Sequence, residues 1–143
     1  MALDPKFVPA LIQQGDLQAT LGHVSDGIEL MRKALALDPL SVMAWRRLAR
    51  FYTHSRQFAA ARETVDRLQQ LDPEGNHGRN VVDLDLLTGR AREALEAGQR
   101  EVSNFRFVII AMAQHALGRP AESKQALDSL VRLASNSLAY QIA

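Results

Sequence analysis

Two arginines raise the first chemical question. Arg46 and Arg50 stand four residues apart, so on a helix they stack on one face. A guanidinium is a planar fork of N–H donors that matches a carboxylate bidentately. The spacing suits recognition of a peptide carboxylate; a solvated cationic face is the plainer reading. Little else in the sequence has the spacing that chemistry needs. There is no Gly-rich loop ending in Gly-Lys-Ser/Thr, no G-x-S-x-G and no H-E-x-x-H. His23, His54, His77 and His115 are scattered without the paired spacing of a metal site, and they read as solvated or helix-end side chains. Asp83 and Asp85 are two apart, so on a helix they point in different directions and form no carboxylate pair. The sequence therefore assigns no catalytic residue, metal or cofactor, and points to a non-enzymatic chain.

The bulk properties narrow the partners. The 143 residues are most simply one domain, long enough for a sizeable core. A formal net charge of +1 gives no global attraction to nucleic acid or to anionic membranes. No apolar run approaches the ~18 residues of a membrane span; the longest is Phe107 to Ala113. The absence of cysteine excludes disulfides and thiol chemistry. A protein or peptide partner in an aqueous compartment is expected, the cytoplasm first, with the periplasm kept open.

What positions the two arginines is a repeat. Leu3-Asp4-Pro5, Leu37-Asp38-Pro39 and Leu71-Asp72-Pro73 begin 34 residues apart, and a fixed period of this size means stacked supersecondary units. Between the last two copies, Trp45, Leu48, Ala49 and Tyr52 follow W-x2-L-(small)-x2-Y, then Ala61 and Val65 supply A-x3-(apolar). One period earlier stand Leu11, Gly15, Met31 and Ala34, with Gly22 marking the turn between helices. Gln14 and Gln18 fill places where Leu and Tyr are expected. Ser41 is a candidate N-cap. A third unit carries Val82, Leu86 and Leu87 on its first helix, a turn at Thr88-Gly89-Arg90 and a short second helix. Gly98, in that helix, falls where a bulky residue usually packs and allows either a close helix approach or a bend. The fourth unit has Phe107, Ile110 and Ala111, the turn Gly118-Arg119-Pro120, then Ala126, Leu127, Leu130 and Leu133.

These residues resemble the tetratricopeptide repeat. The resemblance implies an all-α, right-handed superhelix of antiparallel helix pairs with about four repeats, near residues 8–41, 42–74, 75–103 and 104–137. A further helix would start at 138–143, and both ends would be cut from a longer array. The run from His115 to Ala143, closing on AYQIA, with Gly89 to Leu95 before it, is similar to the C-terminal repeat array of large bacterial signalling proteins of the nucleotide cyclase or winged-helix regulator type. That likeness brings no catalytic residues.

In the tetratricopeptide fold, positions 2, 5, 9 and 12 of each first helix face a concave groove. Carried onto this chain, they give a peptide-binding set of Met43, Arg46, Arg50, Thr53, Arg79, Asp83 and Met112, with Ile12, Asp16, Val108 and His115 at the remaining places. The family's chaperone-binding members use a Lys and Asn clamp in the first repeat, where this chain has Ile12 and Asp16. The expected role is a protein-interaction module for a peptide or partner helix. The alternative is a regulatory segment of a larger signalling protein, acting by self-association through its C-terminal edge (Leu127, Leu130 and Tyr140) or by interdomain contacts.

Overall fold

A computed structural model of the chain describes residues 7–73 and 78–142, with side chains to residue 135. Among the described residues there are eight α-helices and no strand: α1 (Val8–Thr20), α2 (Val24–Leu37), α3 (Val42–His54), α4 (Phe58–Leu71), α5 (Gly78–Leu87), α6 (Ala91–Arg100), α7 (Phe105–Ala116) and α8 (Pro120–Ile142). This is the all-α repeat architecture that the period implies. The chain divides into two compact units, residues 1–80 and 81–143.

One turn, used four times, folds each first helix back on its second. In the first copy the Gly22 N–H donates to Ala19 O and the His23 N–H to Gln18 O. The same pair of bonds recurs at Arg56 and Gln57, at Gly89 and Arg90, and at Gly118 and Arg119. This is a Schellman closure, which satisfies the last carbonyls of a helix and needs a left-handed residue just past its end. Glycine fills that place at 22, 89 and 118, with φ of 90°, 79° and 72°. The Leu37-Asp38-Pro39 and Leu71-Asp72-Pro73 copies end the second helices differently, while Leu3-Asp4-Pro5 lies outside the described residues. A residue before proline is pushed out of the helical region, and Asp38 and Asp72 are C-caps with φ/ψ of −136°/90° and −140°/72°. The Asp38 carboxylate also accepts from the Leu40 N–H at 3.1 Å. Three residues on, Ser41 caps α3, its Oγ accepting from the Ala44 N–H at 3.5 Å.

In the first unit, α1 packs on α2, α3 on α4, and α2 and α1 both reach α3. Small residues let the backbones close in. A Cβ on Gly27 would lie 3.0 Å from Gly15 O and 3.2 Å from the Phe51 ring, so α1 and α2 meet through glycine. One period later, Ala49 and Ala61 are fully buried at the corresponding positions. Met31, Ala34, Val65 and Leu68 close the same core at zero exposure.

In the second unit, Val82, Ala94, Ile109 and Ala113 form the core, with Leu86, Leu95 and Phe105 packed against it. Gly98 sits at a close approach: a Cβ there would lie 2.7 Å from Ile109 Cγ2. The helix α7 packs against both α6 and α8, which is why its sequence is apolar on several faces.

Two details differ from the sequence reading. Leu87 is 49% exposed, and Leu84 and Asp85 are the buried residues beside Val82. In addition, α8 runs unbroken from Pro120 to Ile142, whereas the sequence reading starts a further helix at 138. No Gly or Pro interrupts that stretch to stop it. The side chain of Tyr140, part of the expected self-association edge, lies outside the described residues.

Candidate functional site

The arginines lie on α3, and the first unit supplies their surroundings. Asp16 on α1 is 34 residues before Arg50, the same register one repeat earlier. Arg50 Nη2 donates to Asp16 Oδ1 at 2.9 Å. Arg47 Nε lies 2.9 Å from the other oxygen, Oδ2, but its N–H is not aligned for a hydrogen bond, so that contact is ionic. The Asp16 side chain is 22% exposed, so the carboxylate is held between two guanidinium groups at the edge of solvent. Arg46, one turn before Arg50, has Nη2 at 3.7 Å from Asp72 Oδ2. Its carbonyl accepts from Asn80 Nδ2 at 2.9 Å, again across 34 residues. Corresponding positions of successive first helices therefore touch through polar side chains, which brings the Asp16 carboxylate onto the arginine face; that of Asp72 arrives from the C-cap of α4.

The remaining expected site residues divide. Met43 is 51% exposed, three residues before Arg46 and on the same side of α3. Arg79 is exposed on the first turn of α5, within the first unit. Thr53 is 2% exposed and donates its hydroxyl to Ala49 O at 2.8 Å, so in this conformation it faces the core. Ile12, at 5% exposure, is also a core residue. In the second unit, Asp83 is half-buried on α5, while Met112 on α7 is 48% exposed.

The sequence reading missed the role of Asp16 as counter-ion to the arginines. The signal was present: residues one period apart on neighbouring first helices fall side by side, and here they carry opposite charge. It also missed Asp85, which is 2% exposed and accepts from Arg90 Nε at 3.0 Å and Nη2 at 2.6 Å. That pair lies across the α5–α6 turn and ties it shut. Among the described residues no three His, Cys, Asp or Glu side chains come together as a metal site, and no helix is long and apolar enough to cross a membrane.

A family model for the tetratricopeptide repeat matches residues 12–76. This span takes in the Asp16–Arg50 pair and all of α2 to α4. Residues 12–76 are thus tetratricopeptide repeats. Repeats of this kind generally serve as protein-interaction modules, because their stacked first helices present a continuous surface. Two crystal structures of MamA share the fold at 20% identity and TM-scores of 0.73. One covers 96% of this chain and 84% of that chain, the other 98% and 80%. A structure of MamA AMB-1 in a P212121 crystal covers 90% and 74% at a TM-score of 0.61 and 20% identity. At this identity the likeness concerns the fold alone. No curated protein matches the sequence.

Proposed function

We propose that the chain is a non-enzymatic interaction module that holds an acidic, amphipathic peptide or partner helix on the arginine face of α3. The observation that carries this reading is Asp16 held at 2.9 Å by both Arg47 and Arg50. A face that gathers two guanidinium groups around its own carboxylate has the donors and the orientation to take a partner's carboxylate. Met43, 51% exposed beside them, offers an adaptable apolar contact, and Arg79 extends the positive charge.

The test uses two fluorescein-labelled amphipathic peptides of equal length and apolar content, one carrying Glu at every fourth position and its counterpart carrying Gln. Fluorescence anisotropy against the full chain should favour the Glu peptide. Arg46→Glu should weaken its binding at least tenfold, about 1.4 kcal/mol, while the fold stays intact, with only the small loss of melting temperature that a part-exposed pair with Asp72 implies. Equal binding of the two peptides, or an unaltered affinity in the variant, would leave these arginines as a solvated face.

A second reading has its own observation. On α8, Leu127 and Val131 are 46% and 62% exposed one turn apart, and Leu133 is 36% exposed. This apolar edge supports self-association, in keeping with a regulatory segment of a larger protein. Sedimentation equilibrium should then show a concentration-dependent shift toward dimer that Val131→Glu removes. A strict monomer at high concentration would count against it.

A further inference from the structure

The flank of α3 opposite Arg46 and Arg50 carries a second surface. At about 100° per residue, Trp45, Leu48 and Tyr52 project from the side of α3 away from the arginine face. There they floor an open groove of about 590 Å3 whose walls are Arg32 and Leu35 from α2 and Glu63 and Arg67 from α4. This volume is that of a typical ligand pocket, roughly 300 to 1,000 Å3. The floor is held in place. Trp45 Nε1 donates to Pro39 O at 2.9 Å, and Arg32 Nε donates to the Tyr52 hydroxyl at 3.1 Å with the guanidinium 5.8 Å from the ring centre. Thr64 gives its hydroxyl to Ala60 O at 2.6 Å. The groove therefore has an apolar, pre-formed base.

Among the described residues its charges have no acid partner: Arg32 meets the neutral phenol of Tyr52, and Arg67 the Gln70 amide oxygen at 3.4 Å. Glu63 lies one turn before Arg67 on α4, yet among the described residues no ion pair joins them. Arg46, Arg47 and Arg50 on the other flank differ in each having a carboxylate within 4 Å. Two guanidinium groups without acid partners, set over an aromatic and aliphatic floor, are complementary to one kind of guest. It carries a bulky apolar side chain beside a carboxylate.

We propose that this groove binds a peptide segment of a partner protein, with an apolar side chain seated on Trp45 and Leu48 and an acidic side chain held by Arg32 and Arg67. Glu63 disfavours a second carboxylate on the α4 wall and accepts from a peptide N–H. The site is separate from the arginine face of α3, so the module has two flanks that engage partners.

Trp45 is the single tryptophan of the chain, so its fluorescence reports on this groove and not on the opposite face. The probe is a random twelve-residue peptide display library panned on the full chain, with counter-selection on an Arg32→Glu/Arg67→Glu variant. Recovered peptides should be enriched in Asp or Glu next to Leu, Ile or Phe. Synthesised singly, they should shift the Trp45 emission saturably. They should lose at least tenfold in affinity to the double variant and be unaffected by Arg46→Glu. Ala36→Glu, an exposed change on the α2 wall, is the second variant should the double one fail to fold, and it should weaken binding similarly. Peptides without acidic enrichment, a Trp45 signal that never saturates, or equal binding by the folded variants would each overturn the proposal. Loss of binding in Arg46→Glu but not in the Arg32 and Arg67 variants would assign the peptides to the other face.

Discussion

Arg56 occupies the place that Gly22 occupies one repeat earlier, and it adopts the same left-handed backbone: φ is 61° at Arg56 and 90° at Gly22. The hydrogen bonds of the two turns correspond one to one. The turn geometry thus belongs to the repeat, and the second repeat imposes it on a residue that carries a Cβ.

A left-handed residue other than glycine costs about 1 kcal/mol or somewhat more. Arg56→Gly should therefore stabilise the protein by about 0.5 to 1 kcal/mol, the glycine's extra unfolded-state freedom offsetting part of the relief. Chemical denaturation at constant slope measures it. Destabilisation by the variant would mean that the Arg56 side chain makes contacts worth more than the strain.

The α1–α2 contact supplies the reverse case. Gly27 has Gly15 O 3.0 Å and the Phe51 ring 3.2 Å from where a Cβ would stand. Because one neighbour is backbone, the site has little capacity to adjust, and Gly27→Leu should cost about 2 to 3 kcal/mol by overpacking. A thermal melt within a degree of the parent protein would contradict the close approach.

How much of this was legible follows from which residues carry a period. Leu-Asp-Pro, the small residues at Gly15, Ala49 and Ala61, and the turn glycines recur because each backbone feature favours a narrow set of residue types, so the fold could be read along the chain. Asp16 and Arg50 meet across neighbouring helices, and neither residue type alone announces a pair; only the shared register does. Asp85 was harder still. An apolar stripe at helical spacing assigns the buried place to Leu86 or Leu87, and what overrides it is the guanidinium of Arg90, delivered by the turn. Arg56 was missed for the opposite reason, since its side chain conceals a backbone role glycine advertises elsewhere.

The Asp85–Arg90 pair makes an asymmetric prediction. Asp85 is 2% exposed, whereas the Arg90 side chain is 45% exposed. Arg90→Ala removes the guanidinium from a buried carboxylate and should cost about 2 to 3 kcal/mol, below the usual cost of breaking a buried pair because the arginine is half in water. Asp85→Asn leaves a neutral amide inside and an arginine that can turn to solvent, so it should cost less. Urea unfolding of the two variants decides the order, and a larger loss in Asp85→Asn would reverse the assignment.

Glu29 on α2 gives the acid-side dependence. The hydrogen bond from Lys33 at 2.7 Å, and then the charge of that ammonium, hold the Glu29 carboxyl below its ordinary value. A group whose folded pKa is depressed stabilises the fold above its unfolded pKa, and that contribution fades as pH falls through the folded value. Lys33→Met should move the Glu29 titration, followed by carboxyl-carbon NMR, back up toward that of an isolated glutamate. An unmoved midpoint would show that Lys33 is not the cause.

Asp16 tests whether the arginine face is built for a carboxylate. Its oxygens lie 2.9 Å from Arg47 and Arg50, whose side chains are 32% and 37% exposed. Charge-assisted contacts contribute about 1.5 to 3 kcal/mol when desolvated and about 0 to 1 at the surface. Exposure on this scale places the Asp16–Arg50 coupling near the lower range, at about 1 kcal/mol. A double-mutant cycle of Asp16→Asn with Arg50→Gln measures that term directly. The same Asp16→Asn change should have the opposite effect on binding. It frees two guanidinium groups from their internal acid, so the Glu-bearing amphipathic peptide should bind several-fold more tightly while its Gln counterpart is unaffected. Weaker binding would mean that Asp16 is needed to hold the arginines in place for the partner. A coupling indistinguishable from zero would mean that the contact contributes nothing to folding, and the face would then owe its arrangement to packing alone.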